Sequence, residues 1–287
     1  MESRSPRHPF RLLLAAPAIF ALALGAACAQ SGQKSAVEAK PGATAYEPAV
    51  GQSGKDVVWV PTPDALVNEM LRMAEVTPQD YLVDLGSGDG RTVIAAARRG
   101  TRAHGIEFNP DMVELSRQAA QKAGVTDRAT FVEGDVFKSD FSAATVVTLF
   151  QLPELNLRLR PILLDMKPGT RVVSNSFHMG DWTADDTVEA GSGCSSYCRA
   201  YKWIVPAKVA GAWELNDKTM LALDQTYQNL NGQFTMDGTR HQVTDAKLAG
   251  TRITFTANGR QFTGEVDADR MSGRDSQGNA WAATRKR

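Results

Sequence analysis

The chain has 287 residues, 43% of them hydrophobic, and its 32 basic residues balance 32 acidic ones. This length is enough for one large domain and a small one. Because the formal net charge is zero, nothing favours binding to bulk nucleic acid, and we expect no nucleic-acid partner.

The N-terminus has the order of regions that is typical of a secretory signal peptide. Three arginines in the first eleven residues precede an apolar stretch that ends at Ala27-Cys28-Ala29. Basic, apolar and small-residue regions in this order predict cleavage after Ala29, so that residues 1–29 are a signal peptide and the protein is exported to the periplasm or envelope. Two alternatives would leave the chain at a membrane: lipidation of Cys28, or an uncleaved N-terminus, although a spanning helix needs about 20 apolar residues.

Residues 30–55 predict a flexible linker. They are rich in Ala, Gly, Ser, Lys and Glu and show no apolar period. Such a segment cannot bury enough apolar surface to fold. The folded part is therefore expected from residue 56, and its first helix over 64–74, where apolar residues recur at helical spacing. Thr62 is the expected N-cap, before Pro63 at the first helical position.

A glycine-rich turn follows the first predicted strand, with the sequence Asp84-Leu85-Gly86-Ser87-Gly88-Asp89-Gly90. Its glycine spacing is G-x-G-x-G, whereas a dinucleotide fingerprint is G-x-G-x-x-G with the pyrophosphate on the helix N-terminus. An acid directly before the turn would repel a pyrophosphate but suits a cationic ligand that carries an amino group. A NAD-dependent oxidoreductase is therefore disfavoured.

Strands and helices alternate from residue 81 to residue 205, which predicts a mostly parallel sheet with helices on both faces. We predict strands over 81–85, 102–107, 129–133, 144–150, 171–175 and, antiparallel, 199–205, with helices over 90–99, 111–123 and 153–165. Ligands of such sheets bind at the carboxyl ends of the strands, near the point where strand order reverses. Asp84, Glu107, Asp135 and Gln151 all fall at these ends.

Three acids that end three successive strands, Asp84, Glu107 and Asp135, resemble the S-adenosylmethionine site of class I methyltransferases. The resemblance covers residues 57–206 and implies a Rossmann-like methyltransferase domain over 56–207 with S-adenosylmethionine as cofactor. It implies that Asp84 and the glycine backbone hold the methionine part, Glu107 the ribose, and Asp135 with Val136 the adenine. The cofactor-binding residues so implied are Asp84, Gly86, Ser87, Gly88, Gly90, Glu107, Asp135, Val136 and Gln151.

Finer details resemble the methyltransferase group that includes the ATP synthase c-subunit lysine methyltransferase. These are the V-P-T-P entry at 60–63, which closes over the cofactor in that group, the stretch 105–110, and the stretch 177–182. The resemblance implies an amine acceptor, either a protein lysine or a small amine. The Asn/Asp-Pro-Pro-Tyr motif of enzymes that methylate adenine or glutamine is replaced by Phe150-Gln151-Leu152-Pro153, which argues against DNA methylation.

Methyl transfer from a sulfonium is an in-line displacement, and positioning supplies much of its acceleration. An amine that arrives deprotonated needs no strong base, so we assign no catalytic residue. Trp59, Phe177 and Trp182 are expected to shape the acceptor channel, because an aromatic face attracts an ammonium group. The alternative for each ring is ordinary core packing.

The residues beyond Gly211 alternate with period two, and we predict a small antiparallel sandwich or barrel of six to eight strands over 208–287. Three Asn-Gly or Asp-Gly pairs, at 231–232, 237–238 and 258–259, predict hairpin turns. Trp213 and Trp281 are expected to close its core. No charged cluster and no catalytic constellation around a nucleophile appears, so this part is interpreted as a binding or stabilising module.

Cys194 and Cys198 bracket a three-residue segment. In an exported protein an isolated pair is expected to form a disulfide; free thiols or half of a metal site are the alternatives. The four histidines have no ligand spacing, and we predict no metal site. Because S-adenosylmethionine is made in the cytosol, an exported chain leaves one further alternative open: a non-catalytic protein that binds a nucleoside or small molecule on a methyltransferase fold.

Overall fold

The structure is a computed structural model that describes residues 46–286, and these belong to one compact unit, Ala45–Arg287. The predicted signal peptide, Cys28 and the linker up to residue 45 lie outside the described residues. Within the described part, no helix has both the length and the apolar character to cross a membrane.

The first part of the described chain forms a seven-stranded mixed sheet with helices on both faces. Its elements are α1 Asp64–Met73, β1 Tyr81–Leu85, α2 Arg91–Arg98, β2 Arg102–Glu107, α3 Pro110–Ala123, β3 Ala129–Glu133, β4 Val146–Leu149, α4 Pro153–Leu164, β5 Arg171–Asn175, β6 Asp186–Glu189 and β7 Arg199–Ile204. The strand order is β3-β2-β1-β4-β5-β7-β6. Strands β1 to β5 are parallel, and β7 and β6 are antiparallel to their neighbours. The order reverses between β1 and β4, which predicts a ligand cleft there.

The alternation of side chains along the central strands separates two cores. On β1, Leu82 packs with α1, α2 and α3, whereas Val83 and Leu85 pack on the other face with α4. These residues point to opposite faces because successive side chains of a strand alternate. Both faces of the sheet are therefore covered, and its open edge for a ligand is the row of carboxyl ends.

The predicted elements of the sheet are confirmed with small shifts at their ends, but one strand was missed and the predicted cap of α1 is wrong. The edge strand β6 was not predicted, because Asp186–Glu189 is mostly exposed and shows no apolar alternation. Thr62 does not cap α1: the helix has no side-chain cap, and the Thr62 hydroxyl instead accepts a hydrogen bond from Asn175 Nδ2 at 3.2 Å. In contrast, Asn109 caps α3 as its Asn-Pro sequence predicts, accepting from the Asp111 N–H.

The second part is an eight-stranded antiparallel barrel, closed by the pairing of its last strand with its first. Its strands are β8 Gly211–Asn216, β9 Thr219–Thr226, β10 Asn229–Met236, β11 Thr239–Ala249, β12 Arg252–Ala257, β13 Arg260–Asp267, β14 Arg270–Asp275 and β15 Ala280–Arg285. Trp213 and Trp281 belong to its buried core, as predicted. Closure leaves no free sheet edge, which is how a small all-β unit avoids edge-to-edge association.

Two of the three predicted hairpin turns are correct. Asp237-Gly238 and Asn258-Gly259 both adopt positive φ at their two residues, as a type I′ hairpin turn requires. The prediction at 231–232 is wrong, because that pair lies inside β10. Gly232 is needed there for close packing: a Cβ would collide with the carbonyl oxygen of Ala222 on the neighbouring strand.

The barrel contacts the sheet through the segments that precede β6 and follow β7. Gln228 Nε2 donates to the Thr183 carbonyl at 2.7 Å, and the Ala207 N–H donates to the Gly250 carbonyl at 2.9 Å. Among the described residues, none beyond residue 197 lines the cleft at the carboxyl ends of the strands. The barrel therefore contributes to stability or to binding elsewhere, and not to the walls of this site.

Candidate functional site

A cleft opens at the carboxyl ends of the central strands, on either side of the reversal between β1 and β4. On one side it is lined by the glycine turn after β1 and by the ends of β2 and β3; on the other, by residues that follow β4 and β5. Residues 52–62 form a strap that covers it. The strap includes the last four residues of the predicted flexible linker, 52–55.

Four backbone N–H groups of the glycine turn already have hydrogen-bond partners within the protein. Gly86 and Ser87 donate to the carbonyl of Ile106, at 2.8 and 3.1 Å, and Gly90 donates to the Ser87 carbonyl at 2.9 Å. The Gly88 N–H donates to Glu107 Oε2 at 2.9 Å. A pyrophosphate needs these groups free, so the turn is unsuited to a dinucleotide.

Asp84 places a buried carboxyl group at the base of the cleft. It is 7% exposed, and its Oδ1 accepts a hydrogen bond of 2.7 Å from Thr148 Oγ1, the residue beside it on β4. Burial raises the pKa of Asp84 from 3.8 to about 7; the Thr148 hydrogen bond opposes this rise, and the charges of Glu107 and Asp89 add to it. Among the described residues no basic side chain pairs with it, so the site lacks a cation that a ligand can supply.

Glu107, at the end of β2, holds the glycine turn and the start of α3 together. One carboxylate oxygen accepts from Gly88 N and the other from Asn109 N, both at 2.9 Å. Each carboxylate oxygen has a second lone pair. Glu107 lines the cleft, so it can also accept hydrogen bonds from ligand hydroxyl groups, as predicted for a ribose.

Asp135 lies after β3 and is paired with a residue of the strap. Lys55 Nζ lies 2.8 Å from its Oδ2 and 4.8 Å from the centroid of the Phe108 ring. The Lys55 hydrogen bond, aided by the Phe137 N–H, holds the pKa of Asp135 below its usual value. The composition of the strap gave no indication of this pairing, because a lysine in a polar segment looks the same whether it is solvated or paired.

The other predicted cofactor residues divide into those that line the cleft and one that does not. Ser87, Val136 and Gln151 line it, and Gln151 Nε2 also donates to the Leu85 carbonyl at 2.9 Å. Gly90 does not line it: this glycine starts α2 at φ +80°, with the ring of Phe131 2.8 Å from the position of a Cβ. Its role is close packing, so the prediction of a cofactor contact at Gly90 is corrected.

Two of the three predicted acceptor-channel residues lie in the cleft, and one does not. Trp59 and Phe177 line the cleft. The prediction for Trp182 is wrong, because this side chain is fully buried in the core. Its ring centroid lies 5.9 Å from that of Trp203. Its ring also stacks on that of Tyr227, with 6.0 Å between the centroids, a tertiary contact that the sequence does not show.

Two aromatic residues that sequence reasoning missed join Phe177 in the cleft. Phe150 follows β4, and its ring centroid lies 5.9 Å from that of Phe177 and 5.1 Å from that of Tyr197. Tyr197 lies within the pair Cys194 and Cys198, which form a disulfide, as favoured from the sequence. The sequence signal that could have indicated Tyr197 was its position between two cysteines. Among residues 46–286, no group of three possible metal ligands is found.

S-adenosylmethionine makes three demands on a binding site. Its ammonium group needs a carboxylate, its ribose hydroxyls need a hydrogen-bond acceptor, and the amino group of its adenine needs another acceptor. Asp84 is a buried acid without a cation, Glu107 has free lone pairs, and Asp135 is an exchangeable carboxylate. The positive φ of Gly86 and Gly88 lets a ligand approach the backbone. The residues present fit this cofactor.

Known proteins agree with the geometry. The profile of the ANTKMT methyltransferase domain matches residues 84–186. A protein-lysine N-methyltransferase of Saccharolobus islandicus is 41% identical over 140 residues, which are 48% of this chain and 87% of that protein. The chain belongs to the class I S-adenosylmethionine-dependent methyltransferase family. The methyltransferase is thus an enzyme that uses S-adenosylmethionine, and it is similar to the ATP synthase c-subunit lysine N-methyltransferases.

Two further proteins are similar to part of the methyltransferase. The mouse ATP synthase c-subunit lysine N-methyltransferase is 39% identical over 134 residues, 46% of this chain and 54% of that protein. The methyltransferase thus spans about half the length of that relative. An RNA methyltransferase from Salinibacter ruber, whose crystal structure contains S-adenosyl-L-homocysteine, is 49% identical in sequence. The match covers 52% of this chain and 96% of that chain, with a TM-score of 0.49.

Proposed function

We propose that this methyltransferase transfers a methyl group from S-adenosylmethionine to an amine, the side chain of a lysine in a protein. The observation that carries this proposal is the make-up of the cleft: acids and glycines line the side of β1 to β3, together with Phe108, whereas Phe150, Phe177 and Tyr197 line the side of β4 and β5. The relatives from Saccharolobus islandicus and mouse are both named as lysine N-methyltransferases. A small amine is the alternative acceptor.

The cofactor supplies an electrophilic methyl group, and the residues of the chain orient the partners. Asp84 as a carboxylate accepts from the ammonium group, Glu107 from the ribose, and Asp135 from the adenine once Lys55 moves away. No histidine is found among the described residues that line the cleft, and the acceptor must lose its proton before transfer, because only a neutral amine has the lone pair that attacks the methyl group. Alignment of a neutral amine with the methyl group then provides the acceleration, on the order of 7–11 kcal/mol in favourable cases.

The first test measures cofactor binding and transfer separately. Calorimetry on the purified protein should give micromolar affinity for S-adenosylmethionine that is lost in Asp84→Ala and in Glu107→Ala. Mass spectrometry of lysine peptides, with arginine-substituted peptides as matched controls, should then show a gain of one to three methyl groups on lysine alone. No cofactor binding by the unmutated protein would refute the proposal and favour the non-catalytic alternative.

We also propose that the methyltransferase acts outside the cytosol, in the periplasm or envelope. The basic, apolar and A-x-A regions of the N-terminus support this, together with the Cys194–Cys198 disulfide, since disulfides persist in oxidising compartments. Cell fractionation and N-terminal sequencing test the idea. A mature chain that starts at Gln30 supports cleavage, a lipid-modified Cys28 supports membrane attachment, and a full-length cytosolic protein refutes export.

A further inference from the structure

On the aromatic side of the cleft, the ring of Tyr197 is not part of the hydrophobic core. Phe150, Phe177 and Tyr197 form an aromatic wall, with ring centroids 5.1 to 6.5 Å apart. Tyr197 is 44% exposed and comes from the loop between β6 and β7, not from a strand end of the parallel sheet. An exposed ring that extends the wall of a cleft suits contact with a ligand better than it suits packing.

The loop that carries Tyr197 is held at both ends. The disulfide between Cys194 and Cys198 closes a five-residue loop around it, and Tyr197 has φ +55°. A bulky residue rarely adopts positive φ unless the surrounding structure imposes it. Next to the loop, the Ala190 N–H donates to the Cys198 carbonyl at 2.7 Å. The cross-link thus confines Tyr197 to a backbone conformation that places its ring on the wall.

The charges of the cleft as a whole favour a cationic ligand. Five acidic residues line the cleft, Asp56, Asp84, Asp89, Glu107 and Asp135, against two basic ones, Lys55 and Arg91. Both basic residues are already paired, Lys55 with Asp135 and Arg91 with Asp89. No basic side chain lies among the described lining residues that follow β4 and β5. A cleft lined by one sign of charge concentrates ligands of the opposite sign.

We propose that Tyr197 is an acceptor-binding residue, positioned by the Cys194–Cys198 disulfide, and that the aromatic wall binds the alkylammonium head of a lysine as methyl groups accumulate on it. This inference rests on the proposed function. Aromatic faces attract quaternary and tertiary ammonium groups, and the attraction needs no hydrogen bond. The wall therefore retains a lysine whose successive methyl groups remove its N–H donors.

Binding can be tested without turnover. The probes are Nα-acetyl-Nε-trimethyl-lysine amide and the analogue in which carbon replaces the charged nitrogen, each titrated calorimetrically into the full-length protein. The unmutated protein should prefer the cation to its neutral analogue. Tyr197→Leu should weaken binding of the cation by about two- to five-fold and leave the analogue little changed, whereas Tyr197→Phe keeps the preference.

The disulfide has its own variant. Cys194→Ser combined with Cys198→Ser should weaken binding of the cation as Tyr197→Leu does, while affinity for S-adenosylhomocysteine stays near that of the unmutated protein. Equal affinity of the unmutated protein for cation and analogue, or a Tyr197→Leu variant that keeps the preference, would overturn the proposal. Because these titrations do not need methyl transfer, failure of S-adenosylhomocysteine to bind would count against the proposed function alone.

Discussion

Replacing Asp84 by Asn should stabilise the cofactor-free methyltransferase at neutral pH and remove its affinity for S-adenosylmethionine. The carboxyl group is 7% exposed and accepts one hydrogen bond, from Thr148. Burial, with the nearby charges of Glu107 and Asp89, raises its pKa from 3.8 to about 7. A buried carboxylate at this position suits a cationic ligand, but it lowers the free energy of unfolding of the ligand-free protein. An asparagine keeps an oxygen that can accept from Thr148 and carries no charge.

The magnitude follows from the pKa. Because folding raises the pKa of Asp84, the folded state binds this proton more tightly than the unfolded state, so the free energy of unfolding falls as pH rises from about 4 to about 7. At 1.36 kcal/mol per pH unit, the change from 3.8 to about 7 corresponds to about 4 kcal/mol. We expect Asp84→Asn to gain up to this amount above pH 7 and progressively less towards pH 4.

Urea unfolding at pH 5 and pH 8 measures the difference, with Asp217→Asn, in an exposed turn of the barrel, as the matched control. Saturating cofactor should stabilise the unmutated protein by about 2.7 kcal/mol at a hundred times Kd and leave Asp84→Asn unchanged. Equal or lower stability of Asp84→Asn at pH 8, or unchanged cofactor affinity, would refute the assignment of a strained, cation-binding carboxylate.

Three further predictions concern the turn, the strap and the barrel. Gly88→Ala should destabilise the fold by about 1–2 kcal/mol and weaken cofactor binding in calorimetry, since φ is +54° and a Cβ would lie 2.6 Å from Trp59 Nε1; an unchanged melting temperature would contradict this. Lys55→Ala should tighten cofactor binding a few-fold by freeing Asp135, whereas weaker binding would show that the pair supports the site. Phe255→Ala, in the barrel core, should cost about 3–5 kcal/mol in urea unfolding and leave cofactor affinity intact; lost affinity would show that the barrel supports the cleft.

Local sequence patterns were sufficient for most of the parallel sheet and for the cofactor side of the site. Tyr81–Leu85, Arg102–Glu107 and Ala129–Glu133 begin and end as predicted, because each is a short apolar or alternating run between polar turns. Since parallel strands share one carboxyl edge, strand order alone brought Asp84 and Glu107 to one cleft. No tertiary detail was needed for that.

Tertiary structure alone decided the covering strap and the acceptor side. Lys55 reaches Asp135 across 80 positions of sequence, and Tyr197 reaches Phe150 across the sheet; such contacts depend on how loops fold back, which no local period encodes. The same physics moved Trp182 into the core, since an aromatic ring in a loop is equally suited to a cleft or to burial. The sequence by itself determined which chemical groups end the strands; packing of the loops determined which rings face the acceptor.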